Sequence, residues 1–284
     1  MVALRTSHAH IVHLRTLRSD LLTQLATDGT SDSVSIYLED LNSGVNIGIN
    51  EREPTFLASL IKVGVMIAWF KAEEQQPGIL QRKVVMTPEM SALPNDHFAR
   101  AQDSPLAPGE YTISSLIDTM ILYSNNSANS ALCYYISDSH LALVFDDLGV
   151  PNPFQVSNPA TDPFKLGTKL TAKQYSNIIR ALYNATYLNE THSARALRLL
   201  TQTKFQQGIR SVLPSGTISA MKYGVFHGAF YECGIVYMKD NPYLITIFTR
   251  GPANNRHRIQ LSWIRKYAGI VHQYMSRLHA GASP

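Results

Sequence analysis

Apolar positions recur at helical spacing near the start of this chain. Ile11, Leu14, Leu17, Leu21, Leu22 and Leu25 fall between His8 and Leu25, and Gly29 supplies a stop. The spacing predicts an amphipathic first helix. The period then changes to two: Val34, Ile36 and Leu38 alternate, Asn42-Ser43-Gly44 forms a turn, and Val45, Ile47 and Ile49 alternate again. A hairpin follows from this. Between Thr55 and about Lys204 the signals are helical: the apolar run after Thr55, Ile113 to Tyr123, Ser127 to Ile136, and a helix opened by Thr171-Ala-Lys-Gln174, a capping-box match. No strong strand pattern interrupts them. After Pro214, strands are predicted at Ile218 to Tyr223, Ala229 to Met238 and Tyr243 to Thr249, the last two joined by a turn from Lys239 to Pro242. A long helix from about Arg256 to Leu278 closes the chain, with Ile259, Trp263, Ile264, Ile270 and Tyr274 available for one face.

Two strands from the front and three from the back permit one five-stranded antiparallel sheet, flanked by the N- and C-terminal helices. The expected class is α+β. Residues 1–54 plus 205–284 form its sheet subdomain, and 55–204 an inserted all-helical subdomain. Composition adds little: 45% hydrophobic and 16% charged residues fit a soluble globular chain and exclude disordered or fibrous classes. The net charge of +4 is scattered rather than clustered, so no nucleic-acid partner is read from it. No run approaches the roughly 18 apolar residues of a membrane span. No signal sequence is visible at the start, so either the chain is cytoplasmic or an export segment lies outside it. Cys133 and Cys233 are too few for a disulfide framework and are expected as buried free thiols.

The chemistry enters at Ser59-Leu-Ile-Lys62. A serine three residues before a lysine on a helix places hydroxyl and amine on one face, a nucleophile beside a base. Alone the pattern is weak, because Ser59 also fits a helix N-terminus and Lys62 a snorkelling side chain. The chain even repeats it at Ser219-Ala-Met-Lys222, where a strand turns residues three apart to opposite faces. Two further motifs follow in order: Ser124-Asn125-Asn126 after the apolar run ending at Tyr123, and Lys222-Tyr223-Gly224. Ser127-Ala128-Asn129 offers a second S-x-N register.

Serine-lysine, then serine-x-asparagine, then lysine-x-glycine resembles the ordered signature of penicillin-recognising serine enzymes, the class A β-lactamase and DD-peptidase group. The separations of 65 and 98 residues between the three motifs are of the order found in class A enzymes. The segment from Tyr111 to Ala128 resembles the approach to that family's second motif, and small residues after Asn126 favour the Ser124 register. The segment from Gly234 to Arg250 resembles its closing strands, so the likeness runs over nearly the whole chain. The resemblance implies the same sheet-plus-inserted-helices architecture, with the motifs lining a cleft. It implies that Ser59 is the nucleophile, Lys62 its base, and Ser124 the proton relay to the leaving nitrogen. Asn126 would bind the substrate amide and Lys222 its carboxylate, Lys222 also serving as a second cation that favours a neutral Lys62. Tyr223 and Gly224 complete the third motif, and the backbone N–H groups of Ser59 and Val225 would form the oxyanion hole.

Three departures qualify the resemblance. Asn125 replaces the usual aspartate, a near-isosteric change that keeps an acceptor. Tyr223 replaces a small hydroxyl residue that helps hold a substrate carboxylate, which puts ordinary penicillin recognition in doubt. The third is the largest: residues 150–167 contain no glutamate to activate the deacylating water. Their one acid is Asp162, between Pro159 and Pro163, and it reads as a turn residue.

The expected function is formation of a Ser59 acyl-enzyme with slow deacylation, DD-peptidase-like on D-alanyl peptides, with a small-molecule or peptidoglycan-peptide substrate. Alternatives are a weak class A β-lactamase, an esterase-like hydrolase with an altered carboxylate site, and a non-catalytic ligand sensor. By resemblance the location is extracytoplasmic. No cofactor is implied. His8, His10 and His13 lack partner ligands for a metal, and His97 and His227 read as structural.

Overall fold

The computed structural model describes residues 2–93, 106–152, 169–239, 241–252 and 257–280. In chain order the first elements are α1 (Val2–Thr27), β1 (Val34–Asp40), β2 (Asn46–Ile49), α2 (Ile61–Gln75), β3 (Lys83–Met86), α3 (Pro88–Ser91) and β4 (Gly109–Thr112). Four helices follow: α4 (Ile113–Leu122), α5 (Asn126–Tyr135), α6 (Asp138–Asp147) and α7 (Ala172–Tyr183). The chain ends with α8 (Glu190–Thr201), β5 (Ile218–Phe226), β6 (Ala229–Tyr237), β7 (Tyr243–Arg250) and α9 (Arg258–Ala280). Two compact units result: Met1–Glu53 with Thr171–Ser176 and Gln206–Pro284, and Pro54–Leu170 with Asn177–Phe205.

The first unit is built on an antiparallel sheet of order β2-β1-β7-β6-β5. Register fixes which side chains share a face. Lys222, Cys233 and Thr246 lie abreast across β5, β6 and β7, and Tyr223, Glu232 and Ile247 lie abreast on the other face. The start of α7 covers the Lys222 face, where Ser176 Oγ bonds Thr246 Oγ1 at 2.7 Å and Tyr175 packs on Phe248. Helices α1 and α9 cover the other face, where Tyr243 Oη bonds His272 Nδ1 at 3.1 Å. The buried stripe of α1 is Leu14, Leu17, Leu21 and Leu25, while Ile11 and Leu22 are exposed. On α9 the stripe is Leu261, Ile264, Tyr267, Ala268, Val271 and Met275. Of the five residues offered from sequence for that face, only Ile264 is fully buried, because the helix is rotated toward Tyr267 and Val271. The capping box at Thr171 forms reciprocally: Gln174 N donates to Thr171 Oγ1 and Thr171 N to Gln174 Oε1.

In the second unit α2 is the central element, with every residue from Ile61 to Phe70 buried. A helix apolar on all sides needs partners all round. Its Gly64 allows one of them close approach, since a Cβ there would sit 2.3 Å from Phe145 Cζ of α6. Trp69 Nε1 donates to Leu132 O of α5 at 3.2 Å. One expectation fails here: β3 and β4 pair as a two-stranded antiparallel ribbon within the region read as wholly helical. Four-residue strands are too short for alternation to stand out, and their partners lie more than twenty residues apart. Among the described residues no helix is long and apolar enough to cross a membrane.

Gly234 tests the sheet, because a Cβ there would meet the backbone carbonyl oxygen of Ala220 at 1.9 Å. Backbone in a paired strand cannot step aside as a side-chain tip can. Gly234→Ala is expected to cost about 1–3 kcal/mol or more, read as a lower urea midpoint at unchanged slope.

Candidate active site

Ser59 lies in a single 3-10 turn, Ala58–Leu60, that leads directly into α2, so Lys62 follows it in the first turn of the α-helix. Both are buried: Ser59 is 8% exposed and Lys62 0%. An ammonium removed from water must find acceptors in the protein. Lys62 Nζ finds Ser59 Oγ at 3.0 Å, Ser124 O at 2.6 Å, Asn126 Oδ1 at 2.7 Å and Ser124 Oγ at 3.3 Å. Three N–H groups cannot serve four acceptors equally, and Ser124 Oγ is the most distant. A neutral amine with two N–H groups fits as well. The two shortest contacts take both donors, and the lone pair is left for the Ser59 hydroxyl.

The turn that supplies three of these acceptors is held unusually. Ser124 has φ 57° and Ala58, beside Ser59, has φ 48°. Non-glycine residues in this left-handed region cost roughly 1–3 kcal/mol and persist where the surroundings over-determine them. Here Ser124 O accepts from Lys62, and Asn125 starts α5 as its N-cap, its Oδ1 accepting from Ala128 N at 2.8 Å. Asn125, buried at 1% exposure, therefore keeps the capping acceptor that an aspartate would offer.

In the first unit Lys222, Tyr223, Gly224 and Val225 lie on β5, an edge strand paired only with β6. Lys222 is buried; its ammonium donates to Tyr223 O at 2.9 Å and lies 4.6 Å from the Tyr223 ring centroid. The Tyr223 ring is itself buried and stacks on Phe230 at 5.9 Å and 19°. The repeated S-x-x-K separates as expected: Ser219 Oγ accepts from Arg210 Nε at 3.1 Å, and Ser219 pairs with Val236 while Lys222 pairs with Cys233.

A residue not anticipated from sequence sits beside this motif. Glu232 pairs with Tyr223 across the strands, is buried, and accepts from Ile209 N at 2.8 Å. Burial pushes its carboxyl up from the ordinary 4.5 to about 7, opposed by the Ile209 bond and by Arg210, Lys222 and Arg265. Gly208 leaves room for it, since a Cβ there would lie 1.8 Å from Glu232 Oε2. An acid inside the apolar run from Ala229 to Tyr237 was the available signal.

Other candidates fall outside the site. Asp162, His97 and residues 153–167 of the proline-rich loop lie outside the described residues. His227 is exposed at the β5–β6 turn, and His13 Nε2 bonds Tyr274 O at 2.9 Å. Cys133 and Cys233 are buried free thiols, both pushed up to about 12 by burial. Among the described residues no group of three His, Cys, Asp or Glu could hold a metal.

The fold is shared with serine hydrolases of the β-lactamase and transpeptidase type. A leucine-to-glutamate mutant of PBP-A, in an acyl-enzyme complex with penicillin G, superposes with TM-score 0.80 at 20% identity, covering 93% of this chain and 97% of that one. A class A β-lactamase from Mycobacterium abscessus gives 0.75 at 20% identity, covering 90% and 98%. A β-lactamase from Sphaerobacter thermophilus gives 0.74 at 18%, covering 91% and 97%. Residues 17–275 match the model of the β-lactamase enzyme family, and the chain belongs to that family. No curated protein matches it.

Two measurements probe this geometry. Asn125→Ala removes the α5 cap and is expected to cost about 1 kcal/mol, whereas Asn125→Asp keeps it; urea unfolding of the pair separates capping from charge. Glu232 gives a pH signature. Its carboxyl is harder to ionise folded than unfolded, so its contribution to stability is whole below pH 4.5 and is lost as pH rises through about 7. The loss is on the order of 3 kcal/mol. Glu232→Gln is expected to flatten the fall in melting temperature between pH 5 and 8; an unchanged slope refutes the assignment.

Proposed function

We propose that the protein forms an acyl-enzyme at Ser59 and acts as a DD-peptidase-like hydrolase or transferase on D-alanyl peptides. The observation that carries this reading is the coordination of Lys62. With two N–H groups on Ser124 O and Asn126 Oδ1, a neutral Lys62 accepts the Ser59 proton as Oγ attacks the carbonyl carbon. The Oγ–C bond forms, the proton passes through Ser124 Oγ to the leaving nitrogen, and the C–N bond breaks. In this reading Asn126 holds the substrate amide, Lys222 its carboxylate, and the Ser59 and Val225 N–H groups the oxyanion. Tyr223 and Gly224 shape the strand around it.

Slow deacylation follows from residues 150–167, which offer no glutamate to activate water. An acyl-enzyme of PBP-A with penicillin G on the same fold supports the first half of the cycle. The second reading is a β-lactamase, favoured by the family match. Membership of that family also supports an extracytoplasmic location and a small-molecule or peptidoglycan-peptide substrate.

Intact-protein mass spectrometry after incubation with penicillin G tests the proposal. A persistent single adduct is expected, and Ser59→Ala is expected to lose it with acylation at least about 10³-fold slower. An adduct that turns over within seconds favours the β-lactamase. No adduct sinks both. Release of D-alanine from a D-Ala-D-Ala peptide then separates an enzyme from a ligand sensor.

A further inference from the structure

A cavity of about 480 Å³ opens in the second unit between the C-terminal half of α2, the approach to β3 and the α5–α6 junction. Its floor is apolar: Trp69, Ala72, Val84, Ile113 and Ile136 are each at most 7% exposed. Its rim is polar, with Gln75, Gln76 and Arg82 exposed. Arg82 is the one lining residue with a full charge at neutral pH, and its guanidinium makes no hydrogen bond or ion pair among the described residues. His140, also on the rim, has its ring anchored through Nδ1 to Ser137 Oγ at 2.7 Å.

Buried apolar walls with a few polar groups, within the roughly 300–1,000 Å³ of small-molecule sites, describe a ligand pocket. It is distinct from the acylation residues. Trp69 lies ten residues beyond Ser59 along a helix rising about 1.5 Å per residue, so roughly 15 Å separates them. Charge complementarity selects the occupant. An unpaired guanidinium presents a fork that matches a carboxylate, and the floor asks for an apolar body.

We propose that this cavity is a second ligand site that takes a small amphipathic carboxylate, its apolar body on Trp69 and Ile113 and its carboxylate at Arg82. A neutral ligand forgoes that charge-assisted pair. The cavity lies within one compact unit, and its size suits a small molecule rather than a protein segment. The site touches both helices of the acylation centre, because the Trp69 indole N–H is bonded to Leu132 O of α5.

Calorimetric titration of the whole chain with 2-naphthoate tests this. Saturable one-to-one binding is expected. Arg82→Gln, an exposed substitution, is expected to weaken it at least about tenfold, and 2-naphthamide to bind the unaltered protein at least about tenfold more weakly than 2-naphthoate. Ala72→Phe, which fills the floor, is expected to abolish binding, with its melting curve showing whether it folds. Failure to saturate by about 5 mM, equal affinity for acid and amide, or affinity unchanged by Arg82→Gln each overturns the proposal. None of these readouts depends on acylation at Ser59, so failure here leaves the proposed function standing.

Discussion

A lysine ammonium with no access to water is the constraint around which the second unit is organised. Lys62 is fixed on the most buried helix, so its acceptors must be brought to it. Three of them come from the short turn between α4 and α5, in which Ser124 takes a left-handed conformation. Asn125 converts that turn into a helix start, and Gly64 lets α6 close against α2. None of the four acceptor oxygens is a carboxylate.

Two substitutions set this chain's motifs apart from the pattern they resemble, and the fold accommodates both. Asparagine for aspartate at 125 preserves what the fold needs, an acceptor for Ala128 N, without adding an anion near Lys62. Tyrosine at 223 reads in the sequence as an obstruction. In the folded chain its ring is absorbed into a stack with Phe230, and its π-face offers the Lys222 ammonium a neighbour. The residue is part of how β5 holds its lysine.

Much of this was legible in the sequence because long periodic segments and spaced motifs carry strong signals. Residue pattern carries the five strands, the capping box at Thr171, and the pairing of Ser59 with Lys62, while their union in one sheet is what the family resemblance implies. The β3–β4 ribbon was not, since four-residue strands lose their alternation in noise and pair across a long insertion. The rotation of α9 escaped because several apolar stripes were open to it and only its packing on β6, β7 and α1 selects one. Glu232 was hidden in a strand where its neighbours are apolar; its importance depends on Gly208 and Ile209, more than twenty residues earlier.

Acylation and deacylation place different demands on a centre of this kind. In the proposed reaction Ser59 would carry its own proton to Lys62, 3.0 Å away, so that a neutral amine would suffice for attack. Once Oγ is esterified it has no proton to give, and the next nucleophile must be a water that brings its own. In that reaction Lys62, neutral with its two N–H groups on Ser124 O and Asn126 Oδ1, would keep its lone pair toward Ser59 Oγ. A glutamate ionised at neutral pH would solve this from a different direction, and residues 150–167 do not contain one. The proposed persistence of the acyl-enzyme thus rests on the water-activating carboxylate that residues 150–167 do not supply as a glutamate.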